Sequence, residues 1–204
     1  MKSRILLTTL LFFAVISSTF AATENSRLLK ADDTVLTKHS TKIKGKKVSY
    51  TATAGTQPVW NKQGDVVASL FYTYYERTDV KEKSKRPLLI SFNGGPGSAS
   101  VWMHVAYTGP KVLNVDNEGY PLQPYGVKTN PYSVLDVADI VFVNPVNTGF
   151  SRVLPGKDGK MMPRDKQKKQ FFGVNADIKY LAEWINTFVS RHNRWRSPKY
   201  LIGE

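Results

Sequence analysis

The run Leu88-Leu89-Ile90-Ser91-Phe92, followed at once by Asn93-Gly94-Gly95-Pro96-Gly97, decides how this chain is read. A short, largely apolar run without polar alternation is too brief for a helix and suits a strand buried on both faces. The asparagine, glycines and proline behind it end regular structure. The same layout recurs further along. Ile140-Val141-Phe142-Val143 breaks into Asn144-Pro145-Val146-Asn147-Thr148-Gly149, and Lys199-Tyr200-Leu201-Ile202 breaks into Gly203-Glu204. Between these two runs, the spacing of Val174, Ile178, Leu181, Ile185, Phe188 and Val189 predicts a helix with one apolar stripe. Ser197-Pro198 closes it. Buried strands separated by crossovers specify an α/β fold with a mostly parallel central sheet. Function in such sheets gathers beyond the carboxyl ends of the strands, where these glycines lie.

Upstream, residues 48–53 and 66–75 carry strand patterns, and Asn61-Lys62-Gln63-Gly64-Asp65 between them supplies turn chemistry. An N-terminal antiparallel hairpin is expected. Residues 22–47 are polar and lysine-rich and read as a loose basic leader. Residues 107–133, dense in Gly, Pro and Asn, read as loop, and residues 156–169 as a polar, basic excursion.

The chain has 204 residues, 41% hydrophobic and 22% charged, which fits one globular domain and excludes a disordered or collagen-like chain. The absence of cysteine excludes a disulfide scaffold, a Cys-ligated zinc site and a Cys nucleophile. A formal charge of +13 raises nucleic acid as a partner. The N-terminus argues for a different compartment. Lys2 and Arg4 precede an apolar run over residues 5–16, and small residues lead to Ala21. That is the layout of a secretory signal peptide, residues 1–21, and the run is shorter than the ~20 apolar residues of a spanning helix. The expectation is export to a periplasmic or extracellular location, or to an acidic lumenal compartment in a eukaryote. After signal cleavage no stable membrane insertion is expected, nor a nucleic-acid partner. The basic clusters at residues 81–86 and 164–169 read as solvated loops. No motif for a metal or an organic cofactor is present.

Consecutive glycines after a buried strand let backbone N–H groups point into one cavity, which suits an anion or a developing oxyanion. The same residues also make an ordinary tight turn, and the glycines alone leave both readings open. A phosphate loop is disfavoured, since no Gly-Lys-Ser/Thr ending follows.

Taken together, Asn93 to Ser100, Gly109-Pro110, Asn130-Pro131-Tyr132-Ser133 and the stretch from Asn144 to Ser151 resemble the serine carboxypeptidase family in letters, order and spacing. The resemblance covers residues 48–204. It implies an incomplete α/β-hydrolase fold, with a central mostly parallel sheet and the N-terminal hairpin. It also implies a serine-type peptidase that releases residues from peptide and protein C-termini through an acyl-enzyme. By the resemblance, Gly95, with Gly94, supplies oxyanion-hole N–H donation, the partner N–H coming from the residue after the nucleophilic serine, and Asn93 and Glu204 bind the substrate's terminal carboxylate. The nucleophilic serine is expected directly after Glu204, with the Asp and His of the triad beyond it. Residues 1–204 then form an N-terminal fragment that is inactive by itself and holds no catalytic triad residue. His39 and His104 read as ordinary side chains, and His192 as an imidazolium complementing a helix C-terminus. The sequence departs from the family pattern at Ser91, where many members have Trp, at Ser98, where many have Cys, and at Tyr107, where many have Glu. The alternatives are an acyltransferase or other α/β-hydrolase on the same scaffold, or a truncated non-catalytic binding protein.

Overall fold

The structure, a computed structural model, describes residues 30–95 and 97–204. The expected signal segment and residues 22–29 of the expected leader lie outside them. Residues 31–204 pack as one unit.

Nine strands are present among the described residues: β1 (Asp33–Ile43), β2 (Lys46–Trp60), β3 (Val66–Arg77), β4 (Leu88–Phe92), β5 (Lys111–Leu113), β6 (Val127–Thr129), β7 (Asp139–Val143), β8 (Arg152–Val153) and β9 (Lys199–Gly203). The main sheet runs β1-β2-β3-β7-β4-β9, with β8 on β3, while β5 and β6 pair separately. Three further elements matter for the site: a π-helix (Met103–Thr108), α1 (Arg164–Phe171) and α2 (Val174–Arg191).

β4, the strand expected from the sequence, is central and pairs parallel with β7 on one side and β9 on the other. The remaining pairings, β1–β2, β2–β3, β3–β7 and β3–β8, are antiparallel. The sheet is therefore mixed, which corrects the expectation of a mostly parallel one. The expected N-terminal antiparallel hairpin is present as β2–β3, and β3 joins the central strands through its pairing with β7 on its other edge.

The expected loose leader is corrected over its described part. Asp33–Ile43 is a strand, joined to β2 by a two-residue turn in which Lys44 and Gly45 have φ of 48° and 78°. Positive φ at both central residues matches the twist of the flanking strands. The lysines masked a strand whose inner end is apolar: Ile43 packs with Val48, Tyr50 and Leu135.

One face of the sheet packs on α2. Leu88, Ile90, Val141 and Val143 meet Trp184, Phe188 and Val189 there. The other face, with Ile140 and Phe142, packs on Met103 of the π-helix. α2 lies where its periodicity predicts, but its buried row is Tyr180, Trp184 and Phe188, spaced by four. Val174 and Ile178 of the expected stripe are 76% and 62% exposed. Aromatic area accounts for this rotation. Trp184 meets Tyr72 edge-on at 5.5 Å, and Phe188 meets Tyr72 and Tyr74 at 5.4 and 5.2 Å.

A buried charge cluster locks the opposite end of the strands. Asp139 at the start of β7 is fully buried and accepts from Arg86 Nε at 2.7 Å, Arg194 at 2.6 Å and the Arg77 backbone N–H at 2.9 Å. Arg194 also donates to the Tyr74 hydroxyl at 2.6 Å and to the Arg86 carbonyl at 2.9 Å. Three segments that no local pattern connects are thus fixed at one carboxylate.

Candidate functional site

Register builds the site. β4 and β9 pair in parallel up to Phe92 and Gly203, so the next residue on each strand, Asn93 and Glu204, emerges side by side. The Asn93 amide donates from Nδ2 to the Glu204 carboxylate. Its Oδ1 accepts from the Met103 backbone N–H at 3.0 Å, and its own N–H donates to Ser100 Oγ at 3.2 Å. Both ends of the Asn93 side chain are committed, and the residue is 7% exposed.

Backbone geometry explains the glycines. A Cβ on Gly94 would collide with the backbone carbonyl oxygen of Glu204. Gly95 has φ of +125°, and a Cβ there would also sit 2.8 Å from Ser98 Oγ. The strand ends therefore approach each other only because position 94 has no side chain, and the loop turns inward only because position 95 has none.

The loop after β7 is tied to the glycine loop. Ser100 donates from its N–H to Asn144 Oδ1 at 2.9 Å and from Oγ to the Val143 carbonyl at 2.5 Å. Ser151 Oγ donates to the Asn144 carbonyl at 2.7 Å and accepts from the Phe71 N–H at 2.8 Å. Asn93, Gly94, Gly95 and Gly97 form one wall of a cleft of about 530 Å³ whose other walls include Pro145, Val146, Phe172, Asp177 and Tyr180. Tyr180 donates its hydroxyl proton to the Asp177 carboxylate and accepts from the Val146 N–H at 3.2 Å. Burial raises the Tyr180 pKa and keeps that proton in place. A larger hollow of about 890 Å³, between residues 61–67 and 154–166, shares none of these residues.

Every site residue named from the sequence thus lies in one place: Asn93, Gly94, Gly95 and Glu204 are neighbours. The sequence reading missed Asp177 and Tyr180, although an Asp and a Tyr three apart on a helix share a face. It also missed the Met103 N–H that orients Asn93, which no side-chain pattern encodes.

The histidines lie elsewhere in the network. The His104 ring stacks on Phe142 at 4.5 Å, and its Nε2 lies 2.6 Å from the Tyr75 hydroxyl. Burial lowers its pKa to about 4. His192 caps α2 as expected, but it packs against Phe188 at 4.2 Å and Tyr74 at 4.8 Å. Burial lowers its pKa, which disfavours the expected imidazolium. His39 lies on exposed β1 with its Nε2 2.7 Å from Thr37 Oγ1. The described bonds of His104 and His39 run to Tyr75 and Thr37 rather than to a serine. Tyr107 points to solvent, 61% exposed, whereas Ser91 is buried. Among the described residues no group of three or more His, Cys, Asp or Glu could hold a metal ion.

An amide that lines a cleft and is joined to a carboxylate can receive a protonated carboxyl group by hydrogen bonds. Glycine N–H groups beside them can receive developing negative charge.

The serine carboxypeptidase family model (peptidase S10) matches residues 45–204. Among curated proteins, serine carboxypeptidase-like 34 of Arabidopsis thaliana is 35% identical over 122 residues, which is 59% of this chain and 22% of that protein. Serine carboxypeptidase-like 31 of the same plant is 26% identical over 159 residues, 77% of this chain and 28% of that protein. Serine carboxypeptidase S10 family member 1 of Dictyostelium discoideum is 27% identical over 139 residues. Among solved structures, Kex1(Δ)p, a prohormone-processing carboxypeptidase from Saccharomyces cerevisiae, superposes with a TM-score of 0.48 at 22% identity, over 75% of this chain and 30% of that one. The chain spans less than a third of the length of these relatives.

Proposed function

Since the chain belongs to the serine carboxypeptidase family, we propose that the complete protein is an exported serine carboxypeptidase, and that residues 31–204 supply the substrate-recognising half of its site within an α/β-hydrolase fold. The observation that carries this reading is the Asn93–Glu204 hydrogen bond beside Gly94 and Gly95 at the ends of paired β4 and β9. In this reading the nucleophilic serine follows Glu204, with the triad Asp and His farther along the chain. The serine attacks the last peptide bond, an acyl-enzyme forms, the C-terminal residue leaves, and water releases the shortened peptide. The oxyanion of each tetrahedral step lies against the N–H groups of Gly94 and Gly95.

Recognition of a free C-terminus follows from the pair's chemistry. A substrate carboxylate brought to Glu204 places two carboxylates within hydrogen-bonding distance, and the two hold one proton between them. Asn93 adds an amide N–H to the same group. Peptide acids therefore bind best at acid pH, where that proton is present, and KM climbs as pH rises. A C-terminal amide brings no charge to Glu204, so its profile is flatter. The test is kcat/KM against pH for a peptide acid and its amide, using the complete protein. Superimposed profiles, or better cleavage of the acid at alkaline pH, would remove Asn93 and Glu204 from the role. Labelling by a fluorophosphonate reports the nucleophile separately. Efficient acyl transfer to an alcohol or amine in place of hydrolysis would favour the acyltransferase reading.

A further inference from the structure

A half-buried histidine, His104, follows directly after the Met103 N–H that holds Asn93. The π-helix that follows the glycine loop is held at two places. Its start is tied by the His104 N–H donating to the Ser100 carbonyl at 3.1 Å, and its end by the Gly109 N–H donating to the His104 carbonyl at 3.1 Å. A Cβ on Gly109 would collide with that same carbonyl. Between these ties, the His104 ring lies nearly parallel to Phe142 of β7 and within hydrogen-bond distance of Tyr75 on β3. The residue before it, Met103, gives its N–H to Asn93 Oδ1. That bond selects which end of the Asn93 amide faces Glu204, because an amide flipped by 180° would present its oxygen to the carboxylate.

We propose that His104 is a positioning residue for the Asn93–Glu204 pair: its neutral ring, seated on Phe142 and bonded to Tyr75, fixes the π-helix so that Met103 orients the Asn93 amide, and protonation of the ring releases that orientation. This rests on the carboxypeptidase reading for its effect on substrate, though not for its effect on Asn93.

The surroundings of the ring favour the neutral form. The titratable groups facing it are Tyr75 on β3 and, edge-on behind Tyr75 at 5.8 Å, Tyr50 on β2; Phe142 of β7 carries no charge. Burial raises both tyrosines, so neither is an anion that would hold an imidazolium. Burial alone lowers His104 to about 4. The ring is neutral above that pH and takes a proton below it, at a cost to its packed position.

The test uses the complete protein and three variants: His104→Gln, His104→Ala and Tyr75→Phe. Gln keeps a hydrogen-bonding partner for Tyr75 and cannot titrate. KM of the wild type for a peptide acid is expected to be lowest near about pH 5, climbing above it as the shared proton is lost and rising again below it as His104 takes a proton, with kcat at each pH within twofold of that of H104Q. H104Q is expected to keep the wild-type KM at pH 6 and to lose the acid rise. H104A and Y75F are expected to raise KM about tenfold at pH 6, a difference that shrinks as the wild-type ring takes its proton, while cleavage of the matching peptide amide is unchanged. Amide-selective NMR of the Asn93 side chain gives a readout independent of activity. Its resonances should move with the His104 ring titration in the wild type and stay fixed in H104Q. An acid rise that persists in H104Q, equal losses on acid and amide substrates, or an Asn93 signal that ignores His104 would each overturn the proposal. A wild type that cleaves no peptide while Asn93 still follows His104 would instead defeat the carboxypeptidase reading and leave the positioning role standing.

Discussion

Gly95 shows how much of the site a single missing side chain carries. Its φ of +125° and the nearby Ser98 Oγ mean that an added methyl group shifts the loop rather than filling space. In the complete enzyme, Gly95→Ala is expected to lower kcat by ~10²–10³ with KM changed far less, because the displaced N–H acts on charge that exists only in the transition state. Steady-state kinetics on one peptide acid read this directly, and equal loss in both parameters would indicate a folding defect instead. Much of this scale was legible in the sequence. Asn93, Gly94, Gly95 and Glu204 were named from their motifs, and the structure brings them together. What stayed hidden was the set of main-chain contacts, the Met103 N–H above all, because a backbone donor has no letter of its own.

Elements were legible where apolar runs were short and unbroken, as in β4, β7 and β9. They were obscured where surface chemistry overlay the pattern. β1 is rich in lysine and largely exposed, so its composition spoke for a leader while its inner residues, Thr41 and Ile43, packed as a strand end. α2 was found by its period, but its rotation was set by tertiary partners, the ring faces of Tyr72 and Tyr74. The Asp139 cluster was invisible for a similar reason: Arg86, Arg194 and Asp139 lie far apart in the chain and each looks like a surface charge. Its removal gives a clear expectation. Asp139→Asn leaves two buried guanidinium groups without their counter-charge and should cost about 3–5 kcal/mol of stability. Urea unfolding of the variant, compared at constant m-value, measures it. A change below about 1 kcal/mol would mean that water reaches the arginines.

At the scale of the whole molecule, sheet order is the feature the sequence did not contain. Nothing local says that β3, paired with β2 on one edge, takes β7 on the other. Among the described residues β9 is an edge, with Leu201 70% exposed. The molecule's response to acid also belongs here, since it sums over groups. His104 and His192 have depressed pKa values, so the folded state holds fewer protons than the unfolded chain below about pH 6.5. Their contribution is whole above that pH and is lost as pH falls through the folded values, down to about 4 for His104. Asp79, Asp65 and Asp136 are held below the usual carboxylate range by hydrogen bonds from Arg77, Lys157 and Lys44, in that order. They act in the same direction at still lower pH. The thermal midpoint is therefore expected to fall on acidification from pH 6.5 to 4, and the fall should be smaller in H104Q. A midpoint flat across that range would contradict the lowered pKa values of the two half-buried rings. In the proposed carboxypeptidase, loss of the shared proton limits peptide binding at high pH and the acid-weakened fold limits the low side, so the two bound the working pH.

The Asn93–Gly94 step has one more consequence, for how the protein ages. Asparagine followed by glycine is prone to spontaneous deamidation, in which the next backbone nitrogen attacks the side-chain carbonyl carbon and ammonia departs. This is the only such dipeptide in the chain. Here the amide is clamped at both ends, by Met103 on its oxygen and Glu204 on its nitrogen, so the attack has no free rotor to begin from. The clamp that orients the amide also preserves it. Storage that loosens the clamp would place an aspartate against Glu204, and a preparation would lose its recognition chemistry one molecule at a time while its mass rose by about one dalton per event.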